Sequence, residues 1–145
     1  MITPSRGPDQ RGSAALELVV VVPAIMLMLG LLLAGGRVWF VRATVTDAAE
    51  SAARAASLAR SPQQATLGAR SVVDASLSDS DLHCTSVDVD VSTAAFAVPV
   101  GQPATITSEV TCVAAFGDIF LPGLPGSFTI RATARSALDT YRERR

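Results

Sequence analysis

The sequence predicts an α+β fold in which a long N-terminal transmembrane helix continues into a small outer domain. Three observations lead to this prediction: an uncharged apolar stretch from Leu18 to Gly36, apolar residues at three- and four-residue spacing from Val45 to Ala56, and alternation with a period of two in three segments after Cys84. Strands with one apolar face need a cover, which amphipathic helices can supply. We therefore expect a second helix and a three-stranded antiparallel sheet.

The length and charge of the chain limit its organisation and its partners. The chain has 145 residues and a formal net charge of -1, and the part outside the apolar stretch suffices for one small domain but not for two sizeable cores. The few basic residues are scattered, so we expect no nucleic-acid partner. The predicted organisation is a leader at residues 1–12, a spine helix at 13–60, and an extracytoplasmic α+β domain at 61–145 that packs on the spine helix.

The spine helix is predicted to begin at Ser13, which can serve as its N-cap after a flexible leader rich in glycine and proline. The apolar stretch holds 19 residues, and at about 1.5 Å per residue it reaches close to the roughly 30 Å hydrocarbon thickness of a bilayer. Pro23 interrupts this stretch, and bilayer helices tolerate proline as a kink. We therefore expect the lipid bilayer to be a partner of this segment.

The far end of the apolar stretch has the composition of a membrane interface. Trp39 and Phe40 stand between Arg37 and Arg42, where an aromatic belt and snorkelling arginines would mark the outer boundary of the bilayer. The alternative is that these four are ordinary surface residues of a soluble helix. Beyond them the amphipathic spacing predicts that the helix continues to about Ala59.

A second helix is predicted from about Pro62 to Leu77. Ser61 supplies an N-cap, Pro62 the first helical position and Gln64 a capping-box glutamine. Its expected apolar face comprises Ala65, Ala69, Val72, Val73 and Leu77.

Three strands are predicted after this helix. Their apolar positions are Val87, Val89 and Val91 in the first, Ala104, Ile106, Val110 and Cys112 in the second, and Phe128, Ile130, Ala132 and Ala134 in the third. Cys84 does not share the parity of Val87, so we expect it outside the regular strand or on a bulge. The apolar connection 116–126 either tucks over the edge of the sheet or meets a partner.

The two cysteines, Cys84 and Cys112, predict a disulfide in an exported domain. Two buried free thiols are the alternative, and a zinc site is disfavoured because His83 is the only histidine. Positive charges flank both ends of the apolar stretch almost equally, so the positive-inside rule leaves the orientation undecided. The cysteines favour a cytoplasmic amino end and an extracytoplasmic domain.

The N-terminal pattern resembles the TadE-like family of tight-adherence (Flp) pilus systems. The resemblance rests on Gly12, the small residues after it, Glu17, the apolar helix with Pro23, the arginine and aromatic residues at its end, and the alanine-rich continuation. It is specific over residues 11–58 and loose over the rest. Leu18 is a departure, because many Flp-type processing sites place an aromatic residue there.

The resemblance implies a pilin-like fold and a function in assembly. TadE-like proteins are single-pass minor pseudopilins thought to help assemble or prime a thin adhesive pilus. In related prepilins a membrane peptidase cuts after the glycine, which implies cleavage between Gly12 and Ser13 and an assembly role for Glu17. The implied partners are a prepilin peptidase, a Flp-type pilin, other pseudopilins and the pilus assembly platform in the membrane.

The chemistry of Glu17 can also be argued from the residues. A carboxyl near the hydrocarbon boundary costs a few kcal/mol unless it is paired, and cleavage after Gly12 would create an α-amino group on Ser13, in the same or a neighbouring subunit. The alternative is that Glu17 sits in the headgroup layer without a role in assembly.

Two other interpretations of the chain remain as alternatives. The chain could be an unprocessed single-pass membrane protein whose outer domain binds another partner, or a secreted protein released by signal peptidase after Gly36. An enzyme is not expected, because the sequence has no nucleophile elbow and no phosphate-binding glycine loop. No cofactor is expected, and Asp79, Asp81, Asp88 and Asp90 do not have the spacing of an EF-hand calcium site.

Overall fold

The computed structural model describes residues 11–80, 82–119 and 125–139, and the chain forms two compact units, one within residues 1–36 and the other within residues 37–145. The helices are α1 (Arg11–Leu58), α2 (Pro62–Asp79) and α3 (Phe116–Ile119), the strands are β1 (Cys84–Val91), β2 (Ala104–Ala115) and β3 (Ser127–Leu138), and a short 3-10 helix spans Thr93–Ala97. The predicted α+β class is confirmed.

Helix α1 is already formed at Arg11, the first residue of its described part and two residues before the expected start. The prediction that Ser13 caps the helix is wrong, because Arg11 and Gly12 already have helical backbone. Most of the predicted leader, residues 1–10, lies outside the described residues. The carboxyl end of α1, Leu58, agrees with the expected end near Ala59.

The second helix begins with the expected cap, but its glutamine bonds differently. Ser61 has extended backbone and its hydroxyl oxygen accepts a hydrogen bond from the N–H of Gln64 at 3.3 Å. In a capping box the glutamine would accept the N–H of Ser61, whereas here Gln64 Oε1 accepts the N–H of Arg60 at 3.4 Å. The side chain of Gln64 therefore ties the turn between the two helices to the start of α2.

The sheet has the strand order β1-β2-β3 and both pairs are antiparallel. In the central strand β2 every second residue from Ile106 to Ala114 is buried, and β3 buries Ile130, Ala132, Ala134 and Leu138. The outward positions are mainly threonine and charged residues. Alternation in the sequence therefore marked the two faces of the sheet correctly.

The inward face of the sheet packs against a core in which alanine predominates on the helical side. Within the unit 37–145, one stripe of α1 is buried together with one stripe of α2. These helical core residues are Val41, Val45, Ala48, Ala49, Ala52, Ala53 and Ala56 in α1, and Ala65, Ala69, Val73 and Leu77 in α2. Methyl side chains allow close approach of backbones, so the space available to any larger side chain at these positions is small.

A hydroxyl pair connects the end of α1 to β3. Ser57 is buried, its hydroxyl donates to the carbonyl of Arg54 at 2.8 Å, and Ser136 Oγ bonds Ser57 Oγ at 3.0 Å. Ser108 in the middle of β2 is also buried, and its hydroxyl has no hydrogen-bond partner among the described residues. Among the residues that the structure describes, the buried polar side chains are thus small hydroxyl groups.

The disulfide between Cys84 and Cys112 is present and the predicted irregularity of β1 explains how it forms. The register shifts between Cys84 and Ser86, so that Cys84 lies opposite Ala114 while Val87 lies opposite Cys112. The two cysteine Cα atoms are 5.6 Å apart, although the two residues are not paired in the ladder. Thr85 lies in the bulge and its hydroxyl donates to the carbonyl of Val113 at 2.9 Å.

The connection between β2 and β3 is partly described. Phe116 at the start of α3 stacks on Phe128 of β3 with ring centroids 5.7 Å apart, and its N–H donates to the carbonyl of Gly126 at 3.0 Å. Gly126 has a φ of +114° and a Cβ there would lie 2.6 Å from the Phe116 ring. Residues 120–124, in the middle of the predicted apolar loop, lie outside the described residues.

We predict that replacing both cysteines with alanine lowers the free energy of unfolding of the outer domain by about 3 kcal/mol, because the bridge closes a long loop in the unfolded chain. The two residues are 28 positions apart in sequence. Denaturant unfolding of the oxidised protein and of the double alanine variant measures the difference. Equal stability of the two proteins would contradict the prediction.

We also predict that Ala69→Leu destabilises the domain by about 1–3 kcal/mol, because the added atoms find no room in a close-packed core. Ala75→Leu on the exposed side of the same helix is the matched control, with an expected change within about 0.5 kcal/mol. Ala69 is fully buried, whereas Ala75 is exposed. Thermal unfolding of both variants provides the comparison, and equal melting temperatures would show that the alanine stripe is not tightly packed.

Candidate membrane anchor and processing site

Between Leu18 and Leu33 helix α1 is apolar on every side, and no described residue of its own unit covers it. The large apolar side chains between Leu18 and Leu33 are 43% to 76% exposed. The helix is long and apolar enough to cross a membrane, with a mean hydropathy of 2.7 in its most apolar part and none of that part buried. An exposed apolar surface of this extent requires an apolar environment.

Two other kinds of apolar helix can be compared with this one. The core helix of a soluble protein is buried by its neighbours, whereas this segment is exposed all round. A cleaved signal sequence has an apolar region of about 7–15 residues followed by an extended cleavage segment. Here the residues after Gly36 continue as helix to Leu58 and enter the core of the second unit. The helical continuation favours a permanent anchor over a cleaved signal.

The predicted processing site lies in the first described turn of α1. Gly12 and Ser13 both have helical backbone, and a peptidase must unwind this turn to reach the bond between them. Glycine has a low helix propensity, so the glycine before this bond lowers the cost of unwinding the helix there.

Glu17 lies one helical turn after Ser13. Residues four apart share a face of a helix, at about 5–6 Å between Cβ atoms, so an α-amino group created on Ser13 would lie on the same side as the Glu17 carboxylate. The Glu17 side chain is exposed, which also leaves it accessible to a neighbouring chain. Both pairings expected from the sequence, with its own amine or with that of a neighbour, are compatible with this geometry.

Pro23 lies inside α1, as the sequence predicts, and has no N–H to give to the carbonyl of Val19. The kink expected at this position stays a prediction. Proline inside a long helix is tolerated in lipid because neighbouring helices or small shifts of the backbone can satisfy the freed carbonyl.

The four predicted interface residues lie where the surroundings of α1 change. From Glu17 to Gly36 no residue of the helix is buried, and from Val41 onward one stripe is buried in the domain core. Trp39 and Phe40 are 73% and 57% exposed, and Arg37 and Arg42 are exposed as well. By helical periodicity the two aromatic side chains lie on the side away from the buried stripe. This arrangement supports an aromatic belt, while their contact with lipid stays a prediction.

The other titratable residues considered in the sequence do not form a metal site in the part of the chain that the structure describes. No group of three or more histidine, cysteine, aspartate or glutamate residues there could hold a metal ion. His83 is exposed beside Cys84, and Asp88 and Asp90 lie on the outward face of β1. Asp81 lies outside the described residues.

One arrangement of charges was not apparent from the sequence. The outward face of the sheet carries Asp88 and Asp90 on β1, Glu109 on β2, and Arg131 and Arg135 on β3. The alternation of each strand placed these residues outward, but only the strand order separates the acidic edge from the basic edge. The sequence did show that the first predicted strand carries aspartates and that the third carries arginines.

A comparison with known protein families finds a match that covers part of the N-terminal helix. Residues 12–54 match the family model described as TadE-like protein. This range begins at Gly12 of the predicted processing site and covers Glu17, the apolar helix and most of the buried stripe of α1. No curated protein and no solved structure matches the chain. Residues 12–54 are therefore similar to TadE-like proteins, which agrees with the resemblance seen in the sequence.

Proposed function

We propose that the chain is a single-pass membrane subunit, a TadE-like minor pseudopilin, that acts in assembly of a Flp/Tad-type adhesive pilus or a related secretion apparatus. The observation that carries this proposal is the position of the family match, which begins at Gly12 and continues through an exposed apolar helix. Processing of such a subunit would require the glycine at the cleavage site. Lateral assembly would require the carboxylate of Glu17 and the apolar surface of the helix.

The proposed orientation has the amino end in the cytoplasm and the α+β domain outside the membrane. The disulfide supports it, because disulfides form and persist in oxidising, extracytoplasmic compartments. With this orientation the Gly12–Ser13 bond lies near the cytoplasmic side of the bilayer. A prepilin peptidase in that membrane is the proposed first partner.

The proposed role of Glu17 is to pair with an α-amino group at the Ser13 position. An unpaired carboxylate in the hydrocarbon region is expensive, about 2.5–3.5 kcal/mol on the insertion scale for charged residues at a helix centre. A neighbouring processed subunit would bring an amine to the same depth and remove part of this cost. The pairing would hold two helices in register while their apolar surfaces pack together.

The remaining proposed partners are the proteins that share this environment. They are a Flp-type pilin, other pseudopilins and the assembly platform in the membrane, each of which would meet the exposed apolar part of α1. We assign the chain a structural role with no catalysis and no cofactor. The outer domain then serves as a folded head on the spine helix.

We predict that the mature protein isolated from native membranes starts at Ser13, because the leader glycine and Glu17 have the spacing of a processing site. Intact-mass measurement or amino-terminal sequencing decides this. Gly12→Val should block cleavage and retain the leader, whereas Gly36→Val, at a helical position with nothing within 4 Å of an added Cβ, should be processed normally.

An amino terminus at Met1 in the unaltered protein would instead support an unprocessed membrane protein whose outer domain binds another partner. An amino terminus at Arg37 would support a signal peptide and a secreted domain. Either result would contradict the proposed processing.

We predict that Glu17→Gln reduces pilus assembly by about tenfold or more, since loss of an ion pair in the membrane removes at least about 1.4 kcal/mol of association free energy. Membrane insertion, cleavage after Gly12 and the melting temperature of the outer domain should be nearly unchanged. The readouts are the amount of assembled pili and the amino terminus of the variant.

Glu50→Gln is the matched control. Glu50 lies in the same helix and forms an exposed ion pair with Arg54 at 3.5 Å, an interaction of little energetic consequence. Normal assembly with glutamine at position 17 would show that Glu17 is only an interfacial residue.

A further inference from the structure

The outward face of the sheet separates charges by strand. Asp88 and Asp90 are exposed on β1, whereas Arg131 and Arg135 are exposed on β3. Glu109 lies between them on β2 and pairs with Arg131, with 3.1 Å from Nε to Oε1. One edge of the sheet is therefore acidic and the opposite edge is basic.

Most of these charges are unpaired within one chain. Asp88, Asp90 and Arg135 form no ion pair with any residue in the described ranges 11–80, 82–119 and 125–139. Arg131 uses Nε for Glu109 and its side chain is still 64% exposed. Each edge therefore retains charge that a second molecule could neutralise.

Both charged strands are edges of the sheet. The described strands pair only in the order β1-β2-β3, so β1 and β3 each have one side without a strand partner in that part of the chain. Free strand edges offer N–H and C=O groups to another chain. The regular part of β1 after its bulge, from Ser86 to Val91, includes both aspartates.

Edge β1 also leaves apolar surface uncovered. Val87 points to the same side as Val89 and Val91, yet it is 38% exposed while each of those is 6% exposed. It lines an open groove with Leu77 and Leu82, next to the disulfide. A strand added to β1 would cover this side chain.

We propose that the α+β domain associates with a second copy of this chain, β1 of one copy lying beside β3 of the next so that the acidic edge with Asp88 and Asp90 lies against the basic edge with Arg131 and Arg135. The alternative edge pairings are repulsive, because β1 beside β1 opposes aspartates and β3 beside β3 opposes arginines. Charge therefore selects the head-to-tail contact, which leaves an acidic edge and a basic edge free at the two ends. This inference goes beyond the proposed function and does not depend on it.

The geometry of the sheet permits this contact. Strands β1 and β3 run parallel within one copy because both are antiparallel to β2, so two copies with their polar faces on the same side form a parallel pair. The pleat allows a register with Asp88 beside Arg131 and one with Asp90 beside Arg135. In each register the second aspartate lies diagonal to the other arginine, within reach of its long side chain.

Charge reversal of each edge tests the proposal in the full chain. Donor- and acceptor-labelled copies of the purified protein in detergent micelles would report association by energy transfer across a dilution series. D88R/D90R alone and R131E/R135E alone should each weaken association by about tenfold or more, and the chain with all four changes should recover it to within about threefold. A mixture of the two singly reversed proteins should associate with each other.

Two control variants match these net charge changes away from the sheet. Asp47→Arg with Asp79→Arg, and Arg60→Glu with Arg70→Glu, alter exposed helix or turn positions and should leave association unchanged. Raising salt from about 0.1 M to about 1 M shortens the Debye length from about 10 Å to about 3 Å and should weaken the contact of the unaltered chain.

Association that survives both edge reversals would place the contact elsewhere, for example between the apolar helices, and would overturn the proposal. So would a monomer at all concentrations, or failure of the fourfold variant to recover while its melting temperature is unchanged. Normal pilus assembly by a chain with reversed edges would leave the proposed function standing, so the two failures are distinguishable.

Discussion

Burial of one apolar sheet face under two alanine-lined helices is the constraint on which the α+β domain depends. An apolar sheet face left open to water would lose the free energy gained by burial, and the buried stripes of α1 and α2 provide the cover. The largest fully buried side chains come from both layers: Ile106 and Val110 from β2, Val45 from α1 and Val73 from α2.

Helix α1 meets two environments along its length. From Leu18 to Gly36 it exposes apolar residues on all sides, and from Val41 it buries a single stripe in a folded domain. A helix that is apolar all round suits lipid, while a helix with one apolar stripe suits a domain surface in water. The change occurs over the few residues that include Trp39 and Phe40, so the same short segment is both the expected membrane boundary and the start of the domain core.

The disulfide lies at the irregular start of β1. Strand β1 is the shortest strand and its first residues are interrupted by a bulge. The bridge from Cys84 to Cys112 ties that irregular start to the central strand, and the Thr85 hydroxyl satisfies a carbonyl at the same place. The beginning of β1 is held by covalent and side-chain bonds, while the rest of its outer edge stays open. An edge held in place in this way can present its aspartates in a fixed arrangement.

Much of the architecture was predictable because it depends on local periodicity and local caps. Ser61 and Pro62 marked the start of α2 within one residue, and the alternation of β2 and β3 identified their buried faces. The odd parity of Cys84 even predicted the irregularity in β1. The start of α1 was misjudged, since a helix end is set by weak terminal interactions that several residues can satisfy.

The candidate anchor was predictable for the same reason, because an apolar run of sufficient length and the residues around Gly12 are contiguous in sequence. What only the tertiary structure decided depends on residues far apart in the chain. The hydrogen bond between Ser57 and Ser136, the opposition of Val87 to Cys112, and the separation of Asp88 from Arg131 across the sheet all follow from strand order and register. Periodicity tells which face a side chain occupies, whereas register is settled by pairing and packing between distant segments, which one strand's sequence does not encode.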